Sequence, residues 1–434
     1  MAVTPFDSAL WRDLYGDAEI GALFSDAAEL RALMLAEAAL ARVQARLGLV
    51  PETAAAAITR AATEASLDPA SLSRGVAEAG VSVPAFVDAF RATLPPDAGI
   101  WLHLGATSQD MLDTGLVLRL RRALEILEGR LASLVATLAE KAAAEAETVM
   151  AARTRGQIAT PTTLGAKIAI WRAPLLRAGA RIGEAKGRSL RASLAGASGT
   201  LAAFGPKGPE IAAAFAAELG LAHDPVPWHA TRDGIAEIGA ALTLMTGALG
   251  KIGLDARELM QTEVAEIAAG PGGGSSTMPH KANPVWAEAL VALAKANAGI
   301  VGRLFEAQLH AQEREGAAWA LEWLTLPQIV VASGAALRHA QVLAAALESR
   351  PAAMARTLRV AGDFPLAEAA TFALAPHIGR PEAQALVKAA CARAAAEGRP
   401  LRDILAETSD APVDWAATLD PAAYLGAAPE IARR

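Results

Sequence analysis

The stretch Gly270-Pro-Gly-Gly-Gly-Ser-Ser-Thr-Met-Pro-His-Lys-Ala-Asn-Pro284 gathers the residue types that an anion-stabilising site needs. Gly272, Gly273 and Gly274 let a backbone approach a ligand closely. Ser275 and Ser276 offer hydroxyls that can carry a proton, and Lys281 supplies positive charge nearby. Asn283 and Pro284 fit the N-cap and first position of a helix, whose positive end would face the loop. Amides, a lysine and a helix N-terminus together can hold a carboxylate or a developing oxyanion. A surface loop that contains a helix cap has the same composition, and that alternative stays open at this level. Two nucleotide-binding readings do not fit. A Walker loop needs Gly-Lys-Ser/Thr, whereas Lys281 lies between His280 and Ala282, and a dinucleotide fingerprint from Gly270 needs glycine where Ser275 stands.

Three further stretches are unusually polar for their surroundings. In His103-Leu-Gly-Ala-Thr-Ser-Gln-Asp110, Thr107 or Ser108 would cap a long helix starting near Asp110 and leave hydroxyls and amides facing a ligand. A lone histidine ahead of a helix, such as His103, is commonly a structural hydrogen-bonder. Arg153-Thr-Arg-Gly-Gln-Ile-Ala-Thr-Pro-Thr-Thr-Leu-Gly165 presents Thr154, Arg155 and Gln157, and an arginine there can grip a carboxylate. Pro227–Glu237 carries His229 and Arg232, and Gln312–Leu324 carries Arg314. Each of those three is alternatively a helix-end charge or an ion pair. His223, His310, His339 and His377 have no motif around them and are read as structural. No metal-ligand spacing and no cofactor motif occurs, so neither a metal nor a cofactor is expected.

These stretches must be held by helices. The 434 residues are 53% apolar with only 4% aromatic, an alanine-rich balance that suits closely packed helices, and no sustained strand alternation occurs. Leu112, Leu116, Leu120, Leu124, Leu127, Leu131, Leu134 and Leu138 recur at spacings of three and four and predict one long helix from Asp110 to about Glu147. Others are predicted over Ser25–Leu47, Thr163–Gly196, Gly234–Gly270, Val285–Gln312 and Leu324–Leu347. Several are apolar on more than one face, so burial against other subunits is expected. The chain therefore reads as all-α in three parts: an N-terminal helical domain, 1–106; a central long-helix bundle, 107–348; and a small C-terminal helical domain, 349–434, punctuated by Gly and Pro. A net charge of −6 argues against nucleic acid. The single Cys391 excludes an internal disulfide. The start at Met1 shows no signal peptide, and no uninterrupted apolar run reaches the roughly 18 residues of a membrane span, so a cytoplasmic protein without membrane contact is expected.

Gly274-Ser-Ser-Thr-Met-Pro-His-Lys-Ala-Asn-Pro284 resembles the signature of the fumarase/aspartase superfamily, and the stretches at His103–Asp110 and Arg153–Gly165 are similar to its first and second motif regions. The resemblance spans essentially the whole chain. It implies a homotetramer with a central multi-helix core and active sites shared between subunits. It also implies that Ser275 exchanges a proton with carbon, with Lys281 and His103 beside it. Thr107, Ser108, Thr154, Arg155, Gln157, His229, Arg232, Ser276, Met278, Asn283 and Arg314 would then contact substrate. Lyases of the superfamily commonly carry histidine where Arg155 stands, and use it on a poor leaving group. A reaction whose nucleophile or leaving group is the substrate's own carboxylate needs no such acid, because a carboxylate is stable as an anion at neutral pH. Leu14–Phe24, Pro227–Glu237 and Gln312–Leu324 are similar to the carboxymuconate cycloisomerase branch. That branch implies closure of a lactone on a small tricarboxylate in protocatechuate degradation, without a cofactor. The competing expectations are a fumarate-releasing lyase, such as one acting on adenylosuccinate, and a non-catalytic structural protein on the same fold.

Overall fold

The computed structural model describes residues 4–269, 273–274 and 277–434. Long helices dominate, among them α1, Asp26–Arg46; α2, Ser108–Ala144; α3, Leu164–Ser189; α4, Asp233–Leu259; α5, Val285–Ile300; and α6, Gly316–Ala345. Among the described residues, strands are confined to three two-stranded antiparallel ribbons: β1, Val149–Thr154, with β2, Gln157–Thr163; β3, Ile267–Ala269, with β6, Leu347–Ser349; and β4, Gly273–Gly274, with β5, Ala282–Asn283. The fold is all-α.

The leucine row on α2 is buried throughout, from Leu112 to Leu138. Each such leucine contributes roughly 1.5–3 kcal/mol on leaving water. The helix covers 37 residues, close to the expected span. Other ends moved. α6 begins at Gly316, eight residues before the expected start, because the Glu315 carboxylate accepts from Ala317 N and Ala318 N and caps it; it then runs through Pro327 without a break. α4 stops at Leu259, where the chain turns through Ala265 at φ 50° into β3. The expected Val285–Gln312 helix divides after Ile300 into α5 and a short Gly302–Glu306 turn of helix.

The chain forms two compact units. One comprises Met1–Leu131, Arg177–Gly247 and Ala292–Leu337, with Leu33, Leu40, Phe86, Phe90, Leu242 and Ile329 in its core. The other comprises Ala132–Leu176, Ala248–Val291 and Arg338–Arg434. Its C-terminal part has a core of its own around Leu374, Val387, Ile404 and Trp415, and Cys391 is half-buried against it. In this unit α4 and α5 touch at backbone distance, since a Cβ on Gly253 would lie 2.5 Å from Ala287 O.

Asp233–Leu259, Val285–Glu306 and Gly316–Ala345 are long and apolar enough to cross a membrane by length and composition. In the first and third most of the apolar window is packed inside the protein, but in the second only 28% is. Ile170 and Leu176 on α3, Leu244 and Leu254 on α4, and Leu324 on α6 also face outward.

Candidate active site

In the first unit the His103–Asp110 stretch leads into α2. Thr107 takes the N-cap position, and Asp110, three residues on, reaches back to accept from Thr107 N at 2.9 Å, the reciprocal half of a capping box. The same carboxylate accepts from Ala195 N at 2.8 Å, Gly196 N at 3.0 Å and His229 Nε2 at 2.8 Å. Four donors saturate a fully buried carboxylate, which makes Asp110 the knot joining the start of α2, the 193–197 segment and the approach to α4. A second stitch lies four residues along α2, where the Thr114 hydroxyl donates to Ser193 O and accepts from Ser193 N. Gln109 extends the network: Nε2 donates to His229 O at 2.9 Å and Oε1 accepts from Arg314 Nε at 2.7 Å. Arg314 also donates to Ala197 O and is exposed. Thr107 and Ser108 are half-buried, and no hydrogen bond among the described residues engages either hydroxyl.

Two residues expected at the substrate are instead internal. Arg232 is fully buried and bridges Asp113 and Glu322, each through two hydrogen bonds of 2.6–2.9 Å, with its guanidinium 4.7 Å from the Trp228 ring centre. Burial works against that cation, but the two carboxylates outweigh it and hold Arg232 firmly protonated. The trio carries one surplus negative charge, and burial pushes the Glu322 carboxyl up. Arg232 thus has no face for a substrate. His229 is likewise buried, its Nε2 committed to Asp110. Both tie together the framework around the start of α2.

His103 has φ 62° and its Nδ1 lies 2.5 Å from Oε1 of Glu37, a buried residue of α1. Burial lowers the His103 pKa, but the Glu37 hydrogen bond and the Glu37 and Asp110 charges more than reverse this, and the net direction is upward.

In the second unit Thr154 pairs with Gln157 across a two-residue turn made by Arg155 at φ 52° and Gly156 at φ 80°. Positive φ at both central residues is the type I′ turn whose twist suits a hairpin. It puts Thr154, Arg155 and Gln157 together at an exposed tip. Next to that tip the hairpin is tied down by Arg153, which grips buried Glu266 through two bonds of 2.8 Å. Glu266 directly precedes β3, so the same ion pair anchors the strand that leads to the glycine-rich stretch. There Gly273 pairs with Asn283 and Gly274 with Ala282. A Cβ on Gly273 would meet Val285 Cγ2 at 2.5 Å, so only glycine fits. Lys281 N donates to Met278 O at 3.0 Å, and Met278 and Lys281 are both exposed. Asn283 is a strand residue and not the N-cap expected of it; Pro284 O accepts the first helical bond, from Glu288 N. Ser275 and Ser276 lie outside the described residues.

Sequence reasoning missed Glu37, Asp113, Glu322 and Glu266. Glu37 was detectable, since it falls on the periodic apolar face of α1, four residues after Leu33 and three before Leu40.

The chain belongs to the fumarase/aspartase superfamily: the family described as Lyase matches residues 17–299, and the one described as Adenylosuccinate lyase C-terminus matches 363–434. Among curated proteins it is 44% identical, over 95% of its own length and 92% of the relative's, to a 3-carboxy-cis,cis-muconate cycloisomerase of Pseudomonas aeruginosa. It is 43% identical, over 89% and 93%, to the protein of the same description from Pseudomonas putida. Among solved structures, the 3-carboxy-cis,cis-muconate lactonizing enzyme of Pseudomonas putida superposes with a TM-score of 0.92 at 40% identity, covering 98% of this chain and 97% of that one.

Proposed function

We propose that the chain is a cytoplasmic cycloisomerase that interconverts 3-carboxy-cis,cis-muconate and carboxymuconolactone in protocatechuate degradation. The observation that carries this reading is Arg155: an exposed guanidinium at a rigid hairpin tip, standing where lyases of the superfamily place a histidine. A fixed cation at that point suits a substrate with three carboxylates and a reaction that needs no leaving-group acid.

In the forward direction one substrate carboxylate attacks the double bond. A C–O bond forms, and the π electrons move toward the carbon flanked by another carboxylate, giving an enolate-like dianion. Lys281, Asn283 and the glycine-rich amides stabilise that charge. Ser275 delivers the proton to carbon and is reprotonated from solvent, the reverse of both steps opening the lactone; the ionised substrate takes up one proton, and counted as free acids the change is an isomerisation that requires no cofactor. Arg155 and Arg314, with Thr107, Ser108, Thr154, Gln157, Ser276 and Met278 around them, hold the remaining carboxylates and the carbon chain. The outward apolar faces of α3, α4, α5 and α6 support a homotetramer in which stretches from several copies make each site. The three-part division at 106/107 and 348/349 remains our reading of the architecture, with the central part forming that tetramer core.

Ultraviolet absorbance tests the assignment. Adding the purified protein to 3-carboxy-cis,cis-muconate should remove the conjugated-diene band and yield the lactone. A folded tetramer that leaves the band intact refutes the substrate, and fumarate release from adenylosuccinate and related substrates becomes the next assay.

A further inference from the structure

Two buried polar side chains interrupt the apolar face of α1. Glu37 and Gln44 are seven residues apart, about two helical turns, and both are almost fully inaccessible. Both reach the turn that precedes α2. Gln44 Nε2 donates to Leu104 O at 2.8 Å, and Glu37 Oε1 meets His103 Nδ1 at 2.5 Å. A buried carboxylate in an alanine-rich helix is costly unless a charge partners it. The second oxygen of Glu37 is buried without a hydrogen bond, so His103 is the group this carboxylate serves. His103 is pinned in turn. Its φ of 62° is one that side chains other than glycine rarely adopt, and two residues on, Gly105 at φ 78° leaves no room for a Cβ against the Phe204 ring. A carboxylate only accepts, so Nδ1 carries the proton. The far edge of the ring, with Nε2, points away from Glu37, and about a fifth of the side chain is exposed.

We infer that Glu37 is a positioning residue that holds His103 as an imidazolium, whose Nε2–H binds a carboxylate of the anionic substrate. This rests on the function proposed above and gives His103 a defined part in it: it holds charge and leaves proton delivery to Ser275. The charged groups facing His103 are Glu37 from α1, Asp110 from α2 and Arg91 from the Val83–Arg91 helix. Burial and Arg91 disfavour the imidazolium; Glu37 and Asp110 favour it and prevail. A histidine kept charged in this way is a weak base at neutral pH and a good anion ligand.

The test uses protein labelled with carbon-13 at histidine Cε1. It contains seven histidines, and His103→Asn identifies the signal. The His103 titration midpoint should lie above the ordinary value of about 6.5, and Glu37→Gln should lower it by about one unit, a tenfold loss of proton affinity. With 3-carboxy-cis,cis-muconate as substrate, KM should rise as pH passes the His103 midpoint, and in Glu37→Gln that rise should begin at lower pH. At about pH 8 the variant's KM should be up roughly tenfold, with a smaller change in kcat. In a His103→Asn background, Glu37→Gln should add little. A midpoint in the parent at or below the ordinary value overturns the inference. So does an equal midpoint in parent and variant, or KM effects that simply multiply. Absence of turnover in a parent with a raised midpoint counts against the substrate and leaves the charged pair standing. If Glu37→Gln does not fold, the parent midpoint and Glu37→Asp, which keeps the charge and should keep the raised midpoint, decide the matter.

Discussion

The two regions that carry the candidate site residues are built in opposite ways. Around Asp110 the buried charged groups are tied into the protein itself: the carboxylate has four donors, Arg232 bridges two carboxylates, and His103 meets Glu37. Around the hairpin tip and the β4–β5 ribbon the cations Arg155 and Lys281 are exposed, whereas Arg153, beside the tip, is paired with buried Glu266. The first region is a preorganised wall whose residues owe their positions to one another. The second presents charge outward from a rigid root, as suits groups that meet a ligand. Substitutions in the wall should therefore register first as lost stability, and those at the presenting edge as lost turnover in a protein that melts normally.

The largest expected effect is in the wall. Arg232→Met leaves Asp113 and Glu322 buried together without their cation, which costs roughly 3–5 kcal/mol. Chemical denaturation would measure it; a variant as stable as the parent would show that the trio is not what holds α4 and α6 to α2. The opposite case is Ser275→Ala. If Ser275 carries the proton as proposed, kcat should fall by about 10²–10⁴-fold with substrate binding still measurable and the melting temperature little changed. Near-normal turnover removes Ser275 from the mechanism.

How far this contrast could be read from the sequence follows from the range of the forces involved. The helices were legible because burial of a leucine row is periodic, and α2 runs almost where its leucines place it. The hairpin tip and the glycine-rich stretch stood out as candidates because their polar groups are near neighbours in sequence, from Thr154 to Gln157 and from Gly270 to Pro284. The β1–β2 hairpin escaped as a hairpin, since its strands are short and lie among helices. Its signal was Arg155-Gly156 between two strand-length runs, a two-residue spacing ending in glycine. The wall was mostly illegible, because Asp110 meets Ala195, Gly196 and His229, and Arg232 meets Glu322, only after the chain has folded. That is why His229 and Arg232 read as substrate contacts in the sequence: a conspicuous arginine in a polar motif looks the same whether its carboxylates belong to a ligand or to the protein.

A middle-sized effect sharpens the comparison at the hairpin. Arg155→Ala removes an exposed charge with no ion pair among the described residues, so stability should move by no more than about 0.5 kcal/mol. Loss of one charged hydrogen bond to substrate should cost roughly 1.5–3 kcal/mol in kcat/KM, about ten- to a hundredfold. Arg155→His restores the pattern of the lyases and should lose cycloisomerase activity to a similar extent. Steady-state kinetics on the two variants, beside their melting curves, would separate an outward-facing ligand group from a folding element.

The smallest effect tests whether His103 belongs to the wall, and its sign is fixed by linkage. Its pKa is raised in the folded chain, by Glu37 and Asp110 against the pull of burial, so the folded state holds the proton more tightly than the unfolded one. The stabilisation is complete below the unfolded value of about 6.5 and drains away as pH climbs through the higher folded value. The parent should accordingly lose more stability than His103→Asn as pH climbs from the ordinary histidine value of about 6.5 through the raised folded value, while the two curves run parallel below that window. Denaturant midpoints across the range would measure the difference. Parallel curves throughout would mean that His103 is not held as a cation by the fold, and it would then move from the wall to the presenting edge.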